Sequence, residues 1–145
     1  MIDADDILIS VDQRHALSML AGEKTVELRR RPVNVASGCR VWIYSKVPRG
    51  HIEALAVVES VVKASPDSIW RQYGRCTGIS RTEFNTYFHK ADFAYAILLR
   101  DVQELEPTLS LESIRKRFSS FQPPQFFRKL AAGSPELHFF NSALA

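Results

Sequence analysis

The apolar and polar positions of this chain change period several times, and each change marks an element. Residues 7–11 form a short apolar run that predicts a buried strand. Asp12 follows with a side chain suited to capping a helix over residues 13–21, whose apolar stripe is Ala16, Leu17 and Leu20. Gly22 supplies a left-handed helix end. Val26 and Leu28 then alternate with Glu27 and Arg29, the two-residue period of a strand with one buried and one polar face, until Pro32 removes a ladder donor. A third strand over 40–45 sets Val41, Ile43 and Ser45 against Trp42 and Tyr44, and the nearly unbroken apolar run 52–62 predicts a central strand covered on both faces.

Ser65-Pro66-Asp67 opens a helix through Trp70 and Tyr73 that closes at Gly74. The capping box Ser80-x-x-Glu83 opens another, carrying Phe84, Tyr87 and Phe88. A fifth strand is expected over 93–102, with 104–108 extending the sheet until Pro107 interrupts it. A helix from Ser110 carries Leu111, Ile114 and Phe118, and the prolines of 121–130 form a turn leading into a further short helix. From Ala131 onward the pattern defines no element. The order is that of an α+β domain, but periodicity does not separate a curled barrel from an open sheet.

Alternation also has a chemical consequence. Glu27 and Arg29 project from one side of their strand, whereas Lys24 has the opposite parity and reaches them only through the turn at Gly22. A lysine, a carboxylate and a guanidinium converging at a strand entrance suit a polar, planar or anionic ligand. A structural Glu27–Arg29 ion pair without a ligand is the simpler alternative. Arg30 and Arg31 read as the rim of such a site, and the loop 46–51 adds Lys46 and Arg49. Trp42 reads as core, since aromatics at strand spacing usually are. Gln125, Phe126, Arg128 and Lys129 mix flat surfaces with cations, the chemistry used on single-stranded bases and their backbone. His15 has no second histidine at metal-ligand spacing and reads as an exposed or capping residue, and Glu83 reads chiefly as a helix cap.

Composition narrows the class. At 145 residues, 46% hydrophobic and 24% charged, the chain is expected to fold as one globular domain. No apolar run approaches a membrane span, and the acidic first six residues lack the order of a secretory signal, so a cytoplasmic protein is expected. Cys39 and Cys76 stand apart without ligand spacing, which predicts reduced structural thiols, no metal site and no cofactor. The net charge of +3 is unevenly spread, −4 over residues 1–23, +6 over 24–50, −3 over 51–112 and +4 over 113–145. If the two basic segments meet in space, they form a surface for phosphates.

The pattern Gly22-x-Lys24-x-x-Glu27-x-Arg29 between helix and strand resembles the signature of the ASCH family, a branch of the PUA-like superfamily. Ile43-Tyr44-Ser45-Lys46-Val47-Pro48, Gly78-Ile79-Ser80-x-x-Glu83-Phe84 and Pro123-Pro124-Gln125-Phe126 extend the resemblance over about residues 7–130. It implies a PUA-like small mixed β-barrel, plugged at one end by the first helix, with helices flanking a cleft. It adds Tyr44 and Ser45 as the segment bordering that cleft. It also implies binding of RNA or a modified nucleotide, with a role in regulating transcription or translation, through Lys24, Glu27, Arg29, Arg30, Tyr44, Ser45, Lys46 and Arg128. The alternative is a small hydrolase acting on RNA or on a nucleoside such as N4-acetylcytidine, with Lys24 and Glu27 catalytic. In the acetylcytidine group the position of Glu27 is a threonine nucleophile. That threonine is absent here, and Thr25 is the neighbouring hydroxyl.

Overall fold

The computed structural model describes residues 5–144; the first four residues of the acidic N-terminal segment lie outside it. The described elements run β1 (Asp6–Val11), α1 (Gln13–Leu20), β2 (Val26–Arg29), β3 (Arg40–Ser45), β4 (His51–Ala64), α2 (Pro66–Tyr73), a 3-10 turn (Gly74–Cys76), α3 (Arg81–Tyr87), β5 (Ala94–Ser110), α4 (Leu111–Arg117), β6 (Phe127–Leu130) and α5 (Pro135–Ser142). The six strands form one mixed sheet in the order β2-β5-β4-β3-β1-β6, parallel between β1 and β3 and antiparallel elsewhere.

How the faces of the strands distribute their apolar residues shows that the sheet curls. Ile7, Ile9, Val41, Ile43, Ala54, Ala56, Ile97 and Leu99 meet in a single cluster with Ala16 and Met19 of α1. The opposite faces divide into two clusters. One gathers Leu8, Trp42, Tyr44 and Ile52 under α4 and α5, and the other gathers Val26, Leu28, Ala94 and Ala96 under α2 and α3. One shared inner cluster and two outer ones are the signature of a half-barrel with α1 seated in its mouth. Each large apolar side chain so buried contributes about 1.5–3 kcal/mol. The strands β2 and β6 stand at the two ends of the sheet order, so side chains rather than a backbone ladder close the seam between them. Arg29 Nη2 donates to the Ser10 carbonyl at 3.4 Å, and the Arg31 guanidinium lies 5.3 Å from the Phe126 ring centroid.

Serine hydroxyls cap α2, α3, α4 and α5, each accepting from the backbone N–H three residues on. Asp12 occupies the same position before α1, but its side chain makes no cap hydrogen bond. Two expectations need correction. The segment expected to end in a short helix instead contributes β6, because the open edge of β1 offers a ladder that pairs Ile9 with Phe127 and Asp6 with Leu130. The helix forms later, as α5, where Phe140 packs against Trp42 with ring centroids 5.5 Å apart. Nor does Pro107 interrupt the sheet. The pairing of β5 skips from Glu104 opposite Ala54 to Leu109 opposite Ile52, and Pro107 lies in the bulge between them, where no ladder bond is asked of it.

Both cysteines are free thiols, and burial pushes the Cys39 thiol up to about 11, which keeps it protonated and inert. Among the described residues no helix is long and apolar enough to cross a membrane, and no cluster of potential metal ligands occurs.

Candidate functional site

At the seam, the polar side of β2 turns inward. Val26 and Leu28 pack outward under α2 and α3, so alternation sends Glu27 and Arg29 into the mouth beside α1. Lys24 arrives from the other direction, through the turn at Gly22 with φ +80°. Its Nζ lies 3.3 Å from Glu27 Oε1 and donates to the Thr77 carbonyl at 2.5 Å, while Arg29 Nη2 lies 2.8 Å from Glu27 Oε2. Lys24 is only 1% exposed and Glu27 only 6%. Gly78 makes the approach of Lys24 feasible: its φ is +71°, and a Cβ there would stand 3.2 Å from Lys24 Cβ and Cδ.

A cavity of about 280 Å³ lies over this triad, walled by Ser10 and Val11 of β1, Asp12, Arg14 and His15 of the α1 segment, Lys46, and Ile79, Glu83 and Tyr87 of the α3 segment. Arg14 and Glu83 bridge its rim, Nη2 to Oε2 at 2.5 Å and Nη1 to Oε1 at 3.3 Å. The bonding of Glu83 therefore differs from a full capping box: Ser80 Oγ still accepts from the Glu83 N–H, but the carboxylate reaches across to α1.

Burial and charge set the protonation states. Burial lowers the Lys24 pKa, against the opposing pull of Glu27. Burial would raise that of Glu27, yet Arg29 and Lys24 outweigh it and hold the carboxyl below its usual range. His15 is lowered by burial and then by the Lys24 charge, so its imidazole is neutral at neutral pH. Arg29 Nε is buried without a hydrogen-bond partner, a cost normally avoided unless a ligand or water completes it. The cavity thus presents a neutral imidazole, an incompletely satisfied guanidinium, Lys46, and Arg14 paired with Glu83 at the rim, above a fixed carboxylate and with Asp12 in the wall.

The proposed residues divide by position. Lys24, Glu27, Arg29 and Lys46 line this cavity. Arg30 lines a second cavity of about 700 Å³ that shares Arg29 and Tyr87 with the first. Tyr44 and Ser45 do not reach either one. They belong to β3, which is flanked by β4 and β1 and covered on both faces, so Tyr44 is buried in the outer cluster and Ser45 Oγ donates to Glu53 Oε2 at 2.6 Å. Glu53 also takes Arg49, at 2.5 Å, away from any rim role. Arg128 lies over Phe121, 5.1 Å from its ring centroid, on the outer side of β6. Thr25 lines neither cavity. Of the other residues lining this cavity, sequence reasoning left Arg14 and Tyr87 out of the candidate site and read His15 and Glu83 as capping residues. One signal was available: His15 lies four residues before the buried Met19 and hence beside the inward stripe of α1.

Residues 7–132 match the family described as "Domain of unknown function (DUF365)". An "ASCH domain-containing ribonuclease" of Zymomonas mobilis is 34% identical over 123 residues, covering 85% of this chain and 82% of that protein. The crystal structure of ASCH from Zymomonas mobilis superposes with a TM-score of 0.89 at 31% identity, over 97% of this chain and 96% of that one. The human THYN1 protein, solved in complex with 5-methylcytosine containing DNA, matches at a TM-score of 0.60 and 10% identity over 96% of each chain, a likeness of fold alone.

Proposed function

This chain belongs to DUF365, an ASCH-type family, and on that premise we propose that it binds single-stranded RNA at the seam of its half-barrel and cuts the bound strand there. The observation that carries this reading is the cavity over the Lys24–Glu27–Arg29 triad, where the unpartnered Arg29 Nε and the neutral His15 share one small space. The ribonuclease name of the Zymomonas mobilis relative supports the choice of RNA and of cleavage.

Each group has a distinct task. Arg29, Arg14 and Lys46 take the phosphate, and their charge counts for more as the phosphorus acquires a fifth ligand and its oxygens gain negative charge. His15 accepts the proton of the neighbouring 2′-hydroxyl, which neutral imidazole is suited to do near neutral pH. The 2′-oxygen bonds to phosphorus as the P–O5′ bond breaks, forming a 2′,3′-cyclic phosphate, and the released 5′-oxygen takes its proton from water to leave as a hydroxyl. Glu27 is occupied by two cations and serves to orient them rather than to move a proton. Hydrolysis of an acetylated nucleoside has less in its favour, because Glu27 stands where that chemistry uses threonine and Thr25 lies off the cavity.

The test is a titration of short labelled RNA and DNA at several salt concentrations, with product analysis. Three phosphate-directed cations on a single strand give a slope of log affinity against log salt of about −2. Arg29→Gln weakens binding, whereas His15→Asn binds as the wild type does and fails to cut. Binding without turnover in the wild type would reduce the assignment to an RNA-binding regulatory module. Salt-independent affinity, or undiminished cutting by His15→Asn, would remove the seam from consideration.

A further inference from the structure

Five large hydrophobic side chains stand exposed among the described residues, and three of them, Tyr87, Phe93 and Phe126, border one cavity. They are 37%, 46% and 44% exposed. Single exposed apolar residues are ordinary, but a contiguous group around a concavity marks a binding surface. This cavity, of about 700 Å³, is the one that shares Arg29 and Tyr87 with the seam pocket, so a ligand in one is within reach of the other.

Its chemistry is specific. Arg29, Arg30 and Arg31 line it against a single acid, Asp92. The aromatic faces are held with cations: the Arg31 guanidinium lies 5.3 Å from the Phe126 ring centroid, and Lys63 Nζ lies 4.3 Å from that of Phe93. The remaining walls, including Val33 and Ala91, are apolar. An apolar peptide segment would have no use for three arginines, and an inorganic anion would have no use for three exposed rings. A flat, uncharged ring attached to a phosphate uses both.

We propose that this cavity is a base-stacking subsite, receiving the base of the nucleotide next to the phosphate held in the seam pocket, with the rings of Phe93 and Phe126 as its platforms and Arg30 and Arg31 facing the onward backbone. The proposal rests on the RNA reading above and extends it from a phosphate site to a track at least two nucleotides long. It accounts for a cavity that the cleavage chemistry leaves unused. It also explains why the run Arg29-Arg30-Arg31 continues past the triad: the first arginine serves the buried carboxylate, and the next two border the platform.

The experiment measures affinity of a fluorescein-labelled octauridylate and of the same octamer with abasic sites, by anisotropy, for the wild type, Phe93→Leu, Phe126→Leu and Phe126→Trp. Leucine keeps the apolar bulk and loses the flat face, so each leucine variant is expected to weaken the octamer about tenfold. Phe126→Trp retains wild-type affinity, and the abasic octamer binds weakly and no longer distinguishes the variants. Equal thermal melting of all four proteins excludes misfolding. If the wild type binds the octamer while the leucine variants stay within twofold of it, or if the abasic strand binds as well as the intact one, the subsite is wrong although the RNA reading stands. If the wild type does not bind the octamer at all, the RNA reading falls and takes the subsite with it. Light scattering supplies a last outcome: a dimer that Phe126→Leu converts to monomer would make this face an interface between copies and overturn the proposal.

Discussion

Glu27→Gln is the sharpest probe of the buried triad, because it keeps the shape of the side chain and removes only the charge. At 3.3 Å and 2.8 Å, the two cations each attract the carboxylate by about 5–6 kcal/mol at an effective dielectric of about 20, offset by several kcal/mol of desolvation per ion. Removing one partner of such a cluster costs about 3–5 kcal/mol, because the others remain buried and uncompensated. The loss has a ceiling. Lys24 can escape by releasing its proton, and neutralising a lysine at pH 7 costs about 4–5 kcal/mol from its ordinary pKa. Unfolding in urea, followed by fluorescence of the buried Trp42, should show a midpoint lower by about 2 M. In a Lys24→Met background the same substitution should cost less, since one stranded cation is gone. The pH dependence has a definite sign. Glu27 is held below its usual pKa, so its contribution is complete above the ordinary carboxylate range and is lost as pH falls through the folded value. Glu27→Gln therefore flattens that acid limb. A Glu27→Gln protein within about 1 kcal/mol of the wild type, or an equal cost in both backgrounds, would refute the picture of a desolvated, mutually dependent triad.

Two further outcomes follow from the geometry. Because burial and Lys24 lower the His15 pKa, cleavage should be level at neutral pH and fall only below about 6.5, and Lys24→Met should move that limb towards higher pH; a pH–rate profile with an NMR titration of the imidazole checks both, and a wild-type midpoint above 6.5 contradicts the assignment. Gly78→Ala places a Cβ against Lys24 at a positive φ and should cost about 1–3 kcal/mol, more than Gly38→Ala, where the φ is also positive but nothing lies within 4 Å; equal melting temperatures for the two would show that the contact with Lys24 carries no strain.

Much of the site was legible because its rules are local. A two-residue period places Glu27 and Arg29 on one side of β2 whatever the fold, and a glycine with positive φ two residues before Lys24 lets that lysine double back towards them. The serine caps of α2, α3 and α4 follow equally from short-range hydrogen bonding, whereas α5 and its Ser134 cap were not read from the pattern. Tyr44 and Ser45 show where such rules stop. Alternation says that they face opposite ways, but both sides of β3 are covered once β4, β1 and the helices assemble around it, so both residues are buried and neither lines the two cavities at the seam.

What remained was decided by contacts between distant segments. Arg14 meets Glu83 across 69 positions, β6 exists because β1 leaves an edge unpaired, and the second cavity draws on residues from 29 to 127. No periodicity encodes such meetings, since each depends on how far the sheet curls before its ends face one another. The sequence by itself determined which charges travel together on β2. Only the tertiary structure determined that they sit beneath an open seam, because a half-barrel closed by side chains instead of a backbone ladder leaves a cavity there.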